Sequence, residues 1–228
     1  MKPRAVVFDL DETLYRERRF AISGYAAVAR EIERAHGVPP RETFRVMARA
    51  LRSGRRREAF QDVVSRFGLP AGSVGLWLAI YRTHRPLLRL PPQSRAVLTA
   101  LRPSWKLGIV TNGLPTVQAS KARALGLAGL VDRIVYAEEY GNGRGKPDAD
   151  AFLAIADDLG VETARTVFVG DDPACDVAGA RGVGMHTILV AGRRPASALD
   201  RDVADVTAGS LADVVPLAER LVPGGSER

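Results

Sequence analysis

An α/β fold with a Rossmann-like parallel sheet is predicted by two patterns in this sequence of 228 residues. Short apolar runs alternate with helical patterns, as in parallel sheets whose strands are joined by helices. Glycine directly follows three of the helical patterns, as expected where a helix ends. A third pattern, helical periodicity without a strand over residues 15–88, predicts an inserted all-helical segment.

The elements follow in chain order. Strands are predicted at Ala5–Phe8, Leu107–Val110, Arg133–Tyr136, Thr166–Val169 and His186–Val190, with a weaker sixth at Val203–Val206. Helices are predicted at Pro115–Leu125, Ala149–Leu159, Pro173–Arg181 and Leu211–Leu221. Turn signals at 37–40, 53–54 and 68–72 divide residues 15–88 into four further helices.

The position of the helical segment predicts two domains. A segment inserted after the first strand of a parallel sheet is expected over the carboxyl edge of that sheet, where ligands bind in such folds. We therefore expect a core of residues 1–14 and 89–228 and a helical domain of residues 15–88.

Composition narrows the class of protein. With 46% hydrophobic and 26% charged residues, the chain has the composition of an ordinary globular protein rather than a disordered one. The single cysteine, Cys175, excludes an internal disulfide, and no apolar run reaches the roughly 20 residues that span a membrane. The first apolar run is too short for a signal peptide, so a cytoplasmic location without a membrane partner is expected. Monomer and homodimer both stay open.

The basic charge is unevenly distributed. Residues 15–88 carry 15 Arg, no Lys and six acidic residues, a net charge of +9, whereas the rest of the chain is net −2. A coding bias toward Arg would not by itself concentrate the charge there. No basic stripe interleaved with aromatic residues accompanies it, so nucleic acid is not expected as a partner.

Two carboxylates follow the first predicted strand. Asp9 and Asp11 are separated by one residue, which allows one to act as a nucleophile and the other as a general acid and base. The pattern is also typical of a helix cap or a loop pair. A calcium loop of the EF-hand kind is disfavoured because Leu14 and Phe20 stand where Gly and Glu are needed.

Two later segments add groups suited to phosphate. Thr111, Asn112 and Gly113 end the second strand just before Pro115, so a hydroxyl and free backbone N–H groups precede a helix start, although ordinary turns use the same residues. Lys146 lies in a glycine-rich loop. Pro147 and the spacing exclude a nucleotide-hydrolase phosphate loop, and a lone lysine is commonly a solvated surface group.

The fourth predicted strand again ends in carboxylates. Asp171 is placed to help Asp9 bind a hard cation such as Mg²⁺, which prefers oxygen ligands. Asp172 is predicted as the cap of the following helix, and Asp176, one turn later, as a brace for the site.

Taken in order, these motifs resemble those of the haloacid dehalogenase-like hydrolase superfamily. The resemblance rests on Asp9, Asp11 and Thr13, then Thr111, then Lys146 before Pro147, then Gly170 to Asp172 with Asp176. The motifs cover residues 1–14 and about 89–206, and residues 15–88 resemble the helical first-type cap of that superfamily.

The resemblance implies a phosphatase that works through an aspartyl phosphate. It implies Asp9 as nucleophile, Asp11 as general acid and base, and Lys146 as the group that offsets charge. Thr111 and the N–H groups of Asn112 and Gly113 are then implied to hold phosphoryl oxygens. Mg²⁺ is implied between the Asp9 carboxylate, the Asp11 backbone carbonyl and the Asp171 carboxylate, with Thr13, Asp172 and Asp176 as supporting residues.

The motifs also bear on alternative functions within and outside the superfamily. Its dehalogenases lack the second aspartate, which is present here as Asp11, and its phosphonate-cleaving members need a cap lysine, which residues 15–88 lack. A sugar phosphomutase and a non-catalytic phospho-ligand-binding protein both stay open. The substrate is expected to be a sugar phosphate or nucleoside monophosphate, and Arg16, Arg19, Arg52 and Arg55 are hypothesised to contact its leaving group.

Overall fold

The computed structural model describes residues 2–191 and 203–224. Two compact units make up the chain. The first, called here the core unit, contains the described residues of 2–16 and 89–224, and the second, the helical unit, is Glu17–Leu88. In the part of the chain that the structure describes, no helix is long and apolar enough to cross a membrane.

The core unit is built on a parallel sheet, as predicted. Within the described residues the sheet has six strands in the order β3-β2-β1-β4-β5-β6, and every neighbouring pair is parallel. The strands are β1 Ala5–Phe8, β2 Lys106–Thr111, β3 Arg133–Tyr136, β4 Thr166–Gly170, β5 His186–Val190 and β6 Val206–Ala208. β1, β2 and β4 are almost entirely buried, as expected for central strands covered on both faces.

The sixth strand lies later in the chain than predicted. The prediction was Val203–Val206, whereas β6 is Val206–Ala208. The side chain of Asp205 explains the difference, because its Oδ2 accepts hydrogen bonds from the backbone N–H and the hydroxyl of Thr187, at 2.7 and 3.1 Å. These side-chain bonds occupy the start of β5, so the regular pairing with β5 begins one residue later at Val206.

Helices connect the strands of the core unit. They are α5 Pro92–Leu101, α6 Pro115–Leu125, α7 Ala149–Leu159, α8 Ala178–Gly182 and α9 Val214–Leu221. The helix predicted at Pro173–Arg181 is in fact a π-helical turn, Pro173–Val177, followed by α8, and the helix predicted from Leu211 begins with a 3₁₀ turn, Leu211–Asp213. α7 covers one face of the sheet, where Phe152 packs edge-on against Phe168 at 5.0 Å between ring centroids.

The register of the central strands aligns their carboxyl ends. Phe8 of β1 lies beside Ile109 of β2 on one side and Val169 of β4 on the other. The backbone N–H of Asp9 then donates to the carbonyl of Val169 at 2.8 Å. The residues that follow β1, β2 and β4 are therefore neighbours at one edge of the sheet.

The helical unit, all of whose residues are described, contains helices and no strand. Its α-helices are α1 Arg18–His36, α2 Pro40–Arg52, α3 Ala59–Phe67 and α4 Ser73–Thr83. Aromatic side chains form much of its interior, where the Tyr81 ring lies 5.5 Å from Phe20 and 5.6 Å from Tyr25. Gly24 makes room for this packing, because a Cβ there would lie 2.6 Å from the Tyr81 ring.

Candidate active site

A buried lysine joins two aspartates at the carboxyl edge of the sheet. The ammonium of Lys146 donates to Asp9 Oδ1 at 2.6 Å, to Asp176 Oδ1 at 2.7 Å and to the carbonyl of Val110 at 3.0 Å. All three donors of the ammonium are thus used. The side chains of Lys146 and Asp176 are each 2% exposed, so this is a desolvated charge cluster rather than a surface ion pair.

The charges of this cluster are not balanced by its own residues. Burial raises the pKa of Asp9 to about 7; Lys146 opposes that rise and the nearby charge of Asp176 adds to it. Burial alone would lower the pKa of Lys146, but Asp9 and Asp176 outweigh it and the net shift is upward. The lysine therefore stays cationic, and the excess charge in the cluster is negative.

A third carboxylate completes an acidic group suited to a metal ion. Asp9, Asp171 and Asp176 each present a carboxylate oxygen, and these oxygens lie within 4.8 Å of one another. Burial, with a further contribution from the charge of Asp176, raises the pKa of Asp171 to about 6, against a hydrogen bond from Thr13 Oγ1 at 3.3 Å. When all three carboxylates are ionised, they and the one ammonium leave two uncompensated negative charges, and oxygen ligands are those that Mg²⁺ prefers. The residues present therefore fit a divalent hard cation.

Asp176 and Asp172 organise the loop after β4. Asp176 Oδ2 accepts from the backbone N–H groups of Asp171 and Asp172, each at 3.1 Å, while its other oxygen binds Lys146. Asp172 caps the following π-helical turn by accepting from the N–H groups of Ala174 and Cys175, at 2.8 and 3.0 Å. Asp176 thus links the lysine to the loop that carries Asp171.

The loop that carries Lys146 is clamped by Asn112. The Asn112 side chain accepts from the backbone N–H of Lys146 at 2.7 Å and donates to its carbonyl at 2.9 Å. Gly145 makes this approach possible, because its φ is +71° and a Cβ there would lie 2.5 Å from Asn112 Oδ1. The predicted phosphate-binding turn of Thr111, Asn112 and Gly113 and the predicted lysine are therefore brought together.

Asp11 lies beside these groups but outside the acidic group of Asp9, Asp171 and Asp176. Its carboxylate accepts hydrogen bonds from Tyr15, Gln118 and Lys121, none of which was predicted as a site residue. The next residue, Glu12, has a φ of +62°, a left-handed conformation that ordinary side chains rarely adopt. The spacing of Gln118 and Lys121 indicates that they share a helix face, because they are three residues apart. Nothing in the sequence indicated that this face points to Asp11.

Comparison with known proteins identifies the family. Residues 3–184 match the model of the haloacid dehalogenase-like hydrolases. The chain belongs to this family. The family predicted from the motifs and its hydrolase class are both confirmed.

Similar proteins extend over nearly the whole chain. It is 26% identical to a glyceraldehyde 3-phosphate phosphatase of Methanocaldococcus jannaschii, over 96% of this chain and 98% of the relative. It is 31% identical to a phosphoserine phosphatase of Thermus thermophilus, over 92% and 83%. Among solved structures, a HAD phosphatase from Thermococcus onnurineus superposes with a TM-score of 0.62 and 26% identity, covering 95% of this chain and 97% of that one. These relatives confirm the assignment to phosphatase-type members, that is, to phosphoric monoester hydrolases.

Proposed function

We propose that this chain is a magnesium-dependent phosphatase that hydrolyses small phosphate monoesters through an aspartyl phosphate on Asp9. The observation that carries the proposal is the buried contact between Lys146 and Asp9 beside the acidic group of Asp9, Asp171 and Asp176. A carboxylate facing an ammonium and a cation site can approach a phosphate dianion that would otherwise repel it.

The chemistry follows from the side chains at the sheet edge. An oxygen of Asp9 attacks phosphorus, and the bond from phosphorus to the ester oxygen breaks. Asp11 gives a proton to the departing oxygen, then takes a proton from the water that attacks the aspartyl phosphate. This second attack breaks the bond between phosphorus and Asp9 and releases inorganic phosphate.

The phosphoryl group needs donors that hold its oxygens throughout. We assign this role to the hydroxyl of Thr111, the last residue of β2, and to the backbone N–H groups of Asn112 and Gly113, which follow it at the same sheet edge. Thr111 is 1% exposed, so its hydroxyl acts in a site from which most water is excluded. Lys146 neutralises the negative charge of Asp9 and of the phosphate.

The carboxylate oxygens of the acidic group are ligands suited to magnesium. We assign it to the carboxylates of Asp9 and Asp171 and to the backbone carbonyl of Asp11, with Thr13, Asp172 and Asp176 in support. Asp176 is better suited to a supporting role because both of its oxygens already accept hydrogen bonds. When bound, the ion supplies positive charge that screens the phosphate from the attacking carboxylate.

The substrate is proposed to be a small phosphorylated metabolite of the sugar phosphate or nucleoside monophosphate class. The relatives named above act on glyceraldehyde 3-phosphate and phosphoserine, which supports a compact substrate. We propose that the helical segment, expected at residues 15–88 from the sequence, is a cap domain. We also propose that this cap sets the specificity for the substrate. No membrane or nucleic-acid partner is proposed, and the cytoplasm is the proposed location.

Two of the arginines predicted to contact the leaving group differ in their surroundings. Arg55 is bound to Glu58 at 2.5 Å and to Asp62 at 2.7 Å, so its charge is already paired within the helical unit. Arg52 instead lines a cavity of about 370 Å³ together with Arg18, Ile22, Phe44, Ala48 and Leu51. Arg52 is therefore the better candidate for a specificity residue.

A sugar phosphomutase would use the same groups and is distinguished by its product. Hydrolysis releases inorganic phosphate, whereas a mutase converts one sugar phosphate into its isomer. A non-catalytic phospho-ligand-binding protein would bind the ester without turnover. The four hydrogen bonds that hold Asp11 favour catalysis, because a binding protein has no need of an oriented acid and base.

Substitution of Asp9 tests the proposal. Asp9→Asn is expected to abolish release of inorganic phosphate from an aryl phosphate in the presence of Mg²⁺, while circular dichroism remains that of the wild type. Asp158→Asn, an exposed position on α7, is the matched control and is expected to keep full turnover. Turnover retained by Asp9→Asn would contradict the nucleophile assignment, and a wild type that yields only an isomer would identify a mutase.

A further inference from the structure

The carboxylate of Asp11 is held by three side chains of the core unit. Lys121 Nζ donates to both of its oxygens, at 2.9 and 2.8 Å. Gln118 Nε2 donates to Oδ2 at 2.8 Å, and the Tyr15 hydroxyl donates to Oδ1 at 2.6 Å. Each oxygen of Asp11 therefore accepts two hydrogen bonds, which fixes the orientation of the carboxylate. One of these bonds is released whenever Asp11 gives or takes a proton.

The two donors from α6 are buried, which is unusual for their residue types. Gln118 is 1% exposed and the side chain of Lys121 is 3% exposed. An ammonium is among the groups that proteins almost never bury without a partner, because it loses its hydration. Asp11 is that partner, so one helix face is committed to holding this carboxylate.

Gln118 also connects Asp11 to the phosphate-binding turn. Its Nε2 lies 2.5 Å from the Thr111 hydroxyl as well as 2.8 Å from Asp11 Oδ2. The proposed acid and base and a proposed phosphate ligand are thus bound to one amide. A shift of Gln118 would move both groups.

We propose that Lys121 and Gln118 are positioning residues that hold the Asp11 carboxylate for its two proton transfers. The inference rests on the proposed function, because it gives Asp11 the role of acid and base. Both residues act through Asp11. They act by preventing the carboxylate from rotating away from the leaving oxygen and from the attacking water.

Loss of this support is expected to slow the steps in which Asp11 acts. A positioned acid or base contributes about 10²- to 10⁴-fold to a rate, so a mispositioned one is expected to lose about 10- to 100-fold. An aryl phosphate such as 4-nitrophenyl phosphate has a good leaving group and needs little protonation. For that ester the loss falls on the attack of water on the aspartyl phosphate, where Asp11 acts as base.

The test is a double-mutant cycle with 4-nitrophenyl phosphate and Mg²⁺. Lys121→Met is expected to lower kcat about 10- to 100-fold and to give a burst of nitrophenolate, because the phosphoenzyme forms but is hydrolysed slowly. In an Asp11→Asn background the same substitution is expected to change kcat by less than about 2-fold, since it acts through Asp11. Arg123→Met, which removes an exposed cation from the same helix, is the matched control and is expected to leave kcat unchanged.

A second variant covers the case in which Lys121→Met does not fold. Gln118→Met removes the bonds to Asp11 Oδ2 and Thr111 while keeping the ion pair, and is expected to give the same burst and non-additivity. Wild-type kcat in both variants, or losses that multiply with Asp11→Asn, would overturn the inference. A wild type that hydrolyses no phosphate ester would instead defeat the proposed function, and this inference with it.

Discussion

The ammonium of Lys146 lies 2.6 Å from the carboxylate of Asp9, and their side chains are only 2% and 9% exposed. Each charge is therefore desolvated, and each depends on the other and on Asp176 for compensation. This relationship makes the stability of the core unit and the proposed chemistry depend on the same side chains.

Removal of Lys146 is expected to lower both the stability of the core unit and the rate of catalysis. Lys146→Met leaves Asp9 and Asp176 facing each other without a cation, so the free energy of unfolding is expected to fall by about 3–5 kcal/mol. In folded protein, kcat toward an aryl phosphate is expected to fall about 10²- to 10³-fold, as for loss of one electrostatic donor. Urea unfolding and steady-state kinetics measure the two effects. Lys106→Met, at an exposed lysine, should alter neither, and a Lys146→Met enzyme with normal kcat would refute the role of Lys146.

Magnesium is expected to stabilise the folded protein through Asp171. At 100 times its Kd, the ion should raise the free energy of unfolding by about 2.7 kcal/mol, because it binds the folded state alone. Asp171→Asn should remove most of this gain in a thermal unfolding experiment, and excess chelator should stop turnover of the wild type. Asp157→Asn, at an exposed carboxylate on α7, is the matched comparison and should leave the magnesium response intact. An unchanged response in Asp171→Asn would exclude the proposed ligand.

A single methyl group at Gly170 is expected to disrupt the site. A Cβ there would lie 2.2 Å from Oδ2 of Asp176, so Asp176 must move, and we expect its contact with Lys146 to be disturbed. Gly170→Ala is therefore expected to lower kcat at least about 10-fold and to destabilise the chain by about 1–3 kcal/mol, as overpacking does. At Gly75 on α4 a Cβ would meet no described atom within 4 Å, so Gly75→Ala should be neutral or slightly stabilising. Equal behaviour of the two variants in unfolding and activity assays would contradict this account.

The helical unit is expected to lose stability in mild acid because of His84. Burial lowers the pKa of His84, against a hydrogen bond to the carbonyl of Tyr81 and with help from the charge of Arg30; the ring also contacts Ser23 Oγ at 2.7 Å. Between the lowered pKa and the unfolded value near 6.5, the unfolded chain binds more protons than the folded one. Stability therefore rises with pH through this window and is lost as the pH falls below about 6.5. Urea unfolding at pH 7.5 and 5.5, followed by circular dichroism, should show a smaller difference for His84→Gln than for the wild type.

Much of the site could be predicted because parallel strands place their carboxyl ends together. The residues after β1, β2 and β4 were found from short buried runs followed by polar groups, and Lys146 from its glycine loop. Lys121 could not be predicted in this way, because a lysine on a helix is commonly a solvated surface group. Only the packing of the helix in the folded protein shows that Lys121 is buried. The start of β6 was misplaced for a similar reason: the side chain of Asp205 binds Thr187 across the sheet, a contact between residues 18 apart in the chain.

The central position of β1 also sets an order for the assembly of the site during synthesis. β1 leaves the ribosome before its two neighbours, β2 and β4, which begin about 100 and 160 residues later at Lys106 and Thr166. Residues 17–88, which form a separate compact unit, are made between β1 and β2. A nascent chain that ends before Thr166 has Asp9 without Asp171 and Asp176, so the acidic group is complete only after β4 and the loop behind it have been made.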